Sequence, residues 1–208
     1  MRAFCFTLLI ATVAAGQAAA GTTITAQYQR ATYTQSTHAA IALLTATSDA
    51  GNIIGFNFDP VGGTGYGITG PLIQIVPFGQ QNVFNDAPWS ILRMAGVIDD
   101  SDDTYFLARS VDGIVTNPAE SADSLSGAFD MSDTSGATPV FPLAQLVGRI
   151  GDTVAYRGTF TVATPAGNVL EEVQGSVTFV PEPAALALGG LGALGLLIAR
   201  RCAIRVSA

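Results

Sequence analysis

No lysine occurs anywhere in the 208 residues, and the chain has a single histidine, His38, and a single tryptophan, Trp89. Its two cysteines, Cys5 and Cys202, stand near the two ends, so residues 21–180 contain none. That interior therefore has no disulfide framework, thiol chemistry or cysteine-based metal site. It holds fifteen Asp and Glu against five Arg, and the whole chain carries a formal charge of −7. An acidic, lysine-free surface is unsuited to nucleic acid or to anionic membrane, and suits solubility and divalent cations better. With one histidine and no G-x-S-x-G or H-E-x-x-H pattern, nucleophilic and zinc hydrolysis are poorly supplied.

The two ends carry what the middle lacks, namely long apolar runs. Met1 to Ala20 has a short positive start at Arg2, an apolar stretch from Phe4 to Val13, and small residues at Ala18-Ala19-Ala20. This is the pattern of a secretory signal peptide, with Ala18 and Ala20 before the cut and Gly21 as the mature start. Cys5 lies within the apolar run with no lipoprotein-type box before it, so lipidation there is not expected. At the other end, Ala184 to Ala199 is free of charge. As a helix its roughly 16 residues reach about 24 Å, a short span for a hydrocarbon core of about 30 Å. Pro181 and Pro183 place the helix start just after them, and Arg200, Arg201 and Arg205 keep the far end cytoplasmic. The middle is then extracytoplasmic.

Val180-Pro181-Glu182-Pro183, a Gly/Ala/Leu-rich span and terminal arginines, in that order, resemble the PEP-CTERM sorting signal of bacterial surface and matrix proteins. The resemblance covers about the last 30 residues. It implies recognition through Pro181, Glu182 and Pro183 by the membrane enzyme exosortase, which cuts near that triplet and frees the body. It also implies that Arg200 and Arg201 fix orientation. The seven residues Cys202 to Ala208 extend past the arginine pair, where such chains often stop sooner.

Residues 21–180 are one domain's worth of chain. The segment Thr22 to Thr34 alternates like an outer strand, and Ala39 to Thr47 with Ile53 to Phe58, separated by a Ser-Asp-Ala-Gly-Asn turn, reads as a hairpin. Thr153 to Val162 and Val169 to Phe179 bracket Thr164-Pro165-Ala166-Gly167-Asn168 as a second hairpin. Short strands are expected at Leu72 to Val76 and Tyr105 to Ala108, and a short helix at Trp89 to Ala95. Leu143 to Val147 fits helix or strand, and the Ser/Asp/Gly/Thr-rich stretch from Asn117 to Pro139 reads as a long surface loop. The class that follows is mainly β, an antiparallel β-sandwich or jelly-roll-like ectodomain between a signal peptide (1–20) and a sorting segment (181–208) with one transmembrane helix at 184–199.

Four patterns carry chemistry weakly. Gly65 to Gly70 fits G-x-G-x-x-G, but Pro71 and a β-like run follow where a dinucleotide site needs a helix, so the stretch reads as a loop. Asp99, Asp100, Asp102 and Asp103 could supply hard oxygen ligands to Ca²⁺; Tyr105 stands where an EF-hand loop needs Gly, and the plainer reading is a solvated acidic turn. Glu120, Glu171 and Glu172 are the glutamates available to a glycosidase pair, and Glu171-Glu172 sits beside a hairpin turn where charge is ordinary. Trp89, with Tyr66 and Tyr105, could form a sugar platform, although Trp89 and Leu92 share a face in the manner of core residues. The reading overall is a structural or adhesive, non-enzymatic surface protein without a cofactor, handled by signal peptidase and exosortase. The alternative is a glycan-binding module that meets surface polysaccharide with calcium assistance, and third a glycosidase.

Overall fold

A computed structural model describes residues 21–30, 39–74, 83–85 and 103–181. Within these residues ten antiparallel strands form two sheets. The first has the order β1-β2-β8-β5, with β1 Thr22–Arg30, β2 Ala39–Ser48, β5 Tyr105–Phe106 and β8 Val140–Arg149. The second runs β10, β9, then β3 and β4 end to end, then β7, with β6 paired to the other side of β7. Its members are β3 Asn52–Asn57, β4 Gly67–Thr69, β6 Gly113–Ser121, β7 Ser124–Met131, β9 Thr153–Thr164 and β10 Gly167–Thr178.

Period-two patterning explains these elements. In β9, Val154, Tyr156, Phe160 and Val162 are buried while Ala155 and Arg157 on the other face are exposed. β1 turns Ile24, Ala26 and Tyr28 towards the core and Thr23, Thr25 and Gln27 outward, the pattern of the edge strand it is. Ala42, Leu44 and Ala46 of the first sheet and Ile53, Leu125, Phe129, Phe160 and Val162 of the second meet in one core. At its centre Phe56 touches the rings of Phe58, Phe84, Phe106, Phe129 and Phe141, with centroids 4.8–6.3 Å apart.

The signal peptide, Ala31 to Thr34 of the expected outer strand, Trp89 to Ala95 and the 184–199 span lie outside the described residues. The expected β9–β10 hairpin is present, its turn tied by Thr164 Oγ1 donating to the Gly167 carbonyl (2.7 Å) and accepting from Ala166 N–H (3.2 Å). Leu143 to Val147 is strand.

Four expectations are corrected. Ala39 to Thr47 and Ile53 to Phe58 are strands but not a hairpin, since β2 pairs with β1 and β8 while β3 pairs with β7 and β9. The intervening turn crosses between the sheets because both strands aim their apolar side chains into the shared core, and a short turn alone does not decide between folding back in plane and crossing. The crossing is held by Asp49 N–H on the Gly21 carbonyl (3.0 Å) and Ile53 N–H on the Thr138 carbonyl (3.0 Å). Asn117 to Pro139 is not a long loop, because β6 and β7 form a hairpin through most of it. Its small residues have a packing reason: a Cβ on Gly127 would stand 3.3 Å from the Phe84 ring and 3.6 Å from the Phe106 ring, so the strand lies flat beneath two aromatic rings. Pro71 to Gln74 is irregular, tied by Leu72 N–H to Ala122 and Ile73 N–H to Val147, while Ile75 and Val76 lie outside the description. The strand at Tyr105 ends at Phe106, after which Leu107 N–H turns to the Leu143 carbonyl (2.9 Å).

β3 and β4 are two pieces of one interrupted strand. Both lie between β9 and β7, with Asn57 opposite Thr159 and Gly67 opposite Arg157. One residue of β9, Gly158, therefore faces an excursion from Phe58 to Tyr66. The excursion is closed by Asp59, which is buried and accepts from Val61 N–H (2.9 Å) and from the Asn117 side-chain amide. Phe56→Ala, at the middle of the ring cluster, is expected to lower unfolding stability by about 3–5 kcal/mol. Leu170→Ser, at an exposed position near the β9–β10 turn, should stay within about 0.5 kcal/mol. Denaturant melts of the two variants check the pair.

Candidate functional site

The carboxyl end of the fold is set by one residue. After β10, Phe179 is fully buried, with its N–H on the Asp152 carbonyl (2.9 Å) and its own carbonyl accepting from Gly151 N–H (2.8 Å). Its ring lies so close to Gly148 that no side chain fits there; even a Cβ would overlap the ring. Beyond it Val180 is exposed and Pro181 is half-buried. The packed body thus ends where Pro181-Glu182-Pro183 begins. Glu182, Pro183, Arg200 and Arg201 lie outside the described residues, as do Ala18 and Ala20 at the other end. Gly21, the expected mature start, is described: it is buried, at φ +144°, against the Glu171 carboxyl.

A groove of about 500 Å³ runs over the outer face of the second sheet, floored by β4, β9 and β10. Thr69, Arg157, Gln174 and Ser176 line it, and glycines at 65 and 67 keep one wall low. Arg157 donates from Nε (2.8 Å) and Nη2 (2.7 Å) to Glu172 Oε1, and its guanidinium stands 5.7 Å from the Tyr66 ring centroid. Arg157 and Glu172 are each about half exposed, so this pair orients the guanidinium more than it stabilises the fold. Tyr156, also at the groove, has its hydroxyl pushed up from the ordinary phenol range by burial. The groove offers a guanidinium, an amide and hydroxyls, a set that hydrogen-bonds a polyhydroxylated or anionic ligand.

The other expected site residues scatter. Tyr105 is buried and unavailable as a sugar platform, because β5 lies against β8; Trp89 is outside the description. Tyr66 stands on the groove rim with Arg157 over its ring and the Gly63 backbone against it. Glu171 and Glu172, adjacent on a strand, point to opposite faces: Glu171 accepts from the Thr22 and Ser48 hydroxyls between the sheets, and Glu172 takes Arg157 outside. Glu120 is buried on β6, apart from both. Asp103 is buried and its carbonyl accepts the Gln145 amide (3.0 Å); Asp99, Asp100, Asp102 and His38 are outside the description. Among the described residues no three His, Cys, Asp or Glu converge as a metal site.

Neither the Arg157–Glu172 pair nor the Glu171 cluster was expected from the sequence. The first was accessible in principle: once the turn fixes Thr164 opposite Gly167, Arg157 and Glu172 become diagonal neighbours on one face of the hairpin. Glu172→Gln should change stability by less than about 1 kcal/mol and should raise the mobility of the Arg157 side chain. Thermal melts together with side-chain Nε–H exchange by NMR read both effects.

Comparison with known families finds one match. The family described as PEP-CTERM protein-sorting motif matches residues 179–201, beginning at the last buried residue of the body. No curated protein and no solved structure matches the chain. The match ends at Arg201, so it spans the triplet Pro181 to Pro183, the apolar run and the arginine pair as one unit in the expected order. The chain therefore carries a PEP-CTERM sorting motif joined directly to the end of an antiparallel β body, and by that motif it is an exported substrate of exosortase.

Proposed function

We propose that this protein is a bacterial surface or extracellular-matrix component whose β-sandwich body is held at the membrane by its 184–199 helix until exosortase cuts near Pro181-Glu182-Pro183. Its role outside is structural or adhesive rather than enzymatic, and needs no cofactor. The observation that carries this reading is the coincidence of two boundaries. The sorting motif begins at Phe179, and the last packed side chain of the fold is that same residue. A cut at the triplet leaves every buried side chain of the described core on the body side. Export before cutting also fits a body with no cysteine to oxidise and an acidic surface.

Replacing Pro181-Glu182-Pro183 by alanines should leave an uncut, membrane-retained chain in the native host, seen as a full-length band in the membrane fraction. Release at the wild-type rate would overturn the sorting role of the triplet. A chain ending at Pro183 should melt with the wild-type body, whereas Phe179→Ala should cost about 3–5 kcal/mol.

A second reading is favoured by the groove beside Arg157. Glycan binding there would use Arg157, Gln174 and Ser176 as hydrogen-bonding groups with Tyr66 at the rim. Purified surface polysaccharide should then bind the mature body with loss of roughly tenfold or more in affinity for Arg157→Ala, and no loss for Trp89→Ala. The reverse pattern would move the site to Trp89, and a fall on removing Ca²⁺ would bring in the Asp99 to Asp103 segment.

A further inference from the structure

Glu171 is a carboxylate with an incomplete set of partners. It lies on β10 where the edge of the second sheet approaches β1 of the first, half-buried between them. Its Oε2 accepts from the Thr22 hydroxyl and from the Ser48 hydroxyl (3.3 Å), and both donors are neutral and buried. Among the described residues, Arg109 pairs with Asp112 and Arg157 with Glu172, Arg149 lies opposite Ala39 at the end of β2 away from Ser48, and the chain has no lysine to offer instead. A part-buried carboxylate held only by neutral hydroxyls still has acceptor capacity for a cation in contact.

The group pressed against that carboxylate is the backbone of Gly21. A Cβ there would overlap the carboxyl group, so the Gly21 Cα itself is the close neighbour, and its φ of +144° favours glycine. Gly21 is also the residue that follows Ala18-Ala19-Ala20, where signal peptidase is expected to cut. Hydrolysis of the Ala20–Gly21 peptide bond adds water across it, giving a carboxylate on Ala20 and an α-ammonium on Gly21. That ammonium is one bond from the Cα already touching Glu171. We infer that the Gly21 α-ammonium created by signal-peptide removal is the missing counter-ion of Glu171. It completes a site with the Thr22 and Ser48 hydroxyls and ties the new chain start to β10. The inference rests on the export reading above.

The consequence is a lock that exists only in the processed protein. In the precursor the Gly21 nitrogen is an uncharged amide and the carboxylate has its two hydroxyls alone. After the cut a charge-assisted contact joins the first strand of one sheet to the last strand of the other. The folded state stabilises the ammonium, so its pKa rises above the value of about 7.7–8.0 usual for an unfolded chain. The stabilisation is fully present below about pH 7.7 and is lost as pH rises through the folded-state pKa. Glu171 is the titratable group facing Gly21 from β10, the facing groups of β1 and β2 are hydroxyls, and Asp49 stands on the following turn with its N–H on the Gly21 carbonyl.

The absence of lysine makes the test clean, because the α-amine is the only primary amine in the mature chain. Mature protein purified from its host is first checked by mass for a start at Gly21, then treated with acetic anhydride between pH 6 and 10, folded and in denaturant. An acetyl group occupies the place of the Ala20 carbonyl, so it removes the charge without adding bulk the precursor lacks. The expected results are an acylation profile displaced upward by about one pH unit in the folded protein and a Tm about 3–6 °C lower after acetylation at pH 6.5. That Tm gap should close above about pH 9, and Glu171→Gln should abolish it; Glu171→Asp serves if the glutamine variant does not fold. A uniform slowing of acylation at every pH would mean burial without an ion pair and would overturn the lock. So would an unchanged Tm in a chain that starts at Gly21, with the export reading intact. A chain starting elsewhere would overturn the lock together with the expected cut site.

Discussion

Everything in the body is hung on the contact between Phe56 and the rings around it. Phe56 comes from β3 and Phe58 from the start of the excursion after it, Phe129 and Phe160 from the neighbouring strands, and Phe106 and Phe141 from the opposite sheet. Aromatic pairs contribute about 0.5–1.5 kcal/mol each beyond the area they bury, and here they also fix the spacing of two layers. The register shift between Ile53 and Gly55 serves this centre, since one extra residue keeps both Ile53 and Phe56 facing inward. With no disulfide or described metal site in the body, this apolar contact is what sets the sheets in place.

β10 is where that body meets the processing of the chain. The carboxyl end of β10 leads through Phe179 into the sorting motif, and near its other end Glu171 receives the backbone of Gly21. The two processing points are about eight residues apart along one strand, roughly 26 Å at ~3.3 Å per residue. Each is marked by a glycine that admits a close neighbour: Gly148 beneath Phe179 and Gly21 beneath Glu171. The body is thus finished at both ends by the same edge strand.

Sorting and class were legible because they depend on local order. A proline-flanked triplet, an apolar run and terminal arginines can be read without knowing any contact, and alternation exposes strands such as β9. Partners of strands were less legible. β2 and β3 looked like a hairpin because proximity in sequence favours pairing, yet their common inward faces sent them to different sheets. Gly127 looked like a loop residue because its smallness is explained by Phe84 and Phe106, which are distant in sequence. Glu171 and Glu172 looked like ordinary charge beside a hairpin turn, whereas strand geometry assigns them to opposite faces with unrelated partners. The common cause is that these side chains answer to neighbours far along the chain.

The position of β10 also has a mechanical meaning. Tension arriving through the carboxyl end enters at Phe179 and runs along β10, whose pairing with β9 is continuous from Thr178 opposite Thr153 to Gly167 opposite Thr164. Antiparallel bonds lie across the strand axis, so a pull along that axis loads the ladder in shear, all rungs together, rather than unzipping it rung by rung. Survival under such load is governed by the unfolding rate rather than by equilibrium stability. An exported body pulled at that end therefore meets the load along the β9–β10 hairpin in shear.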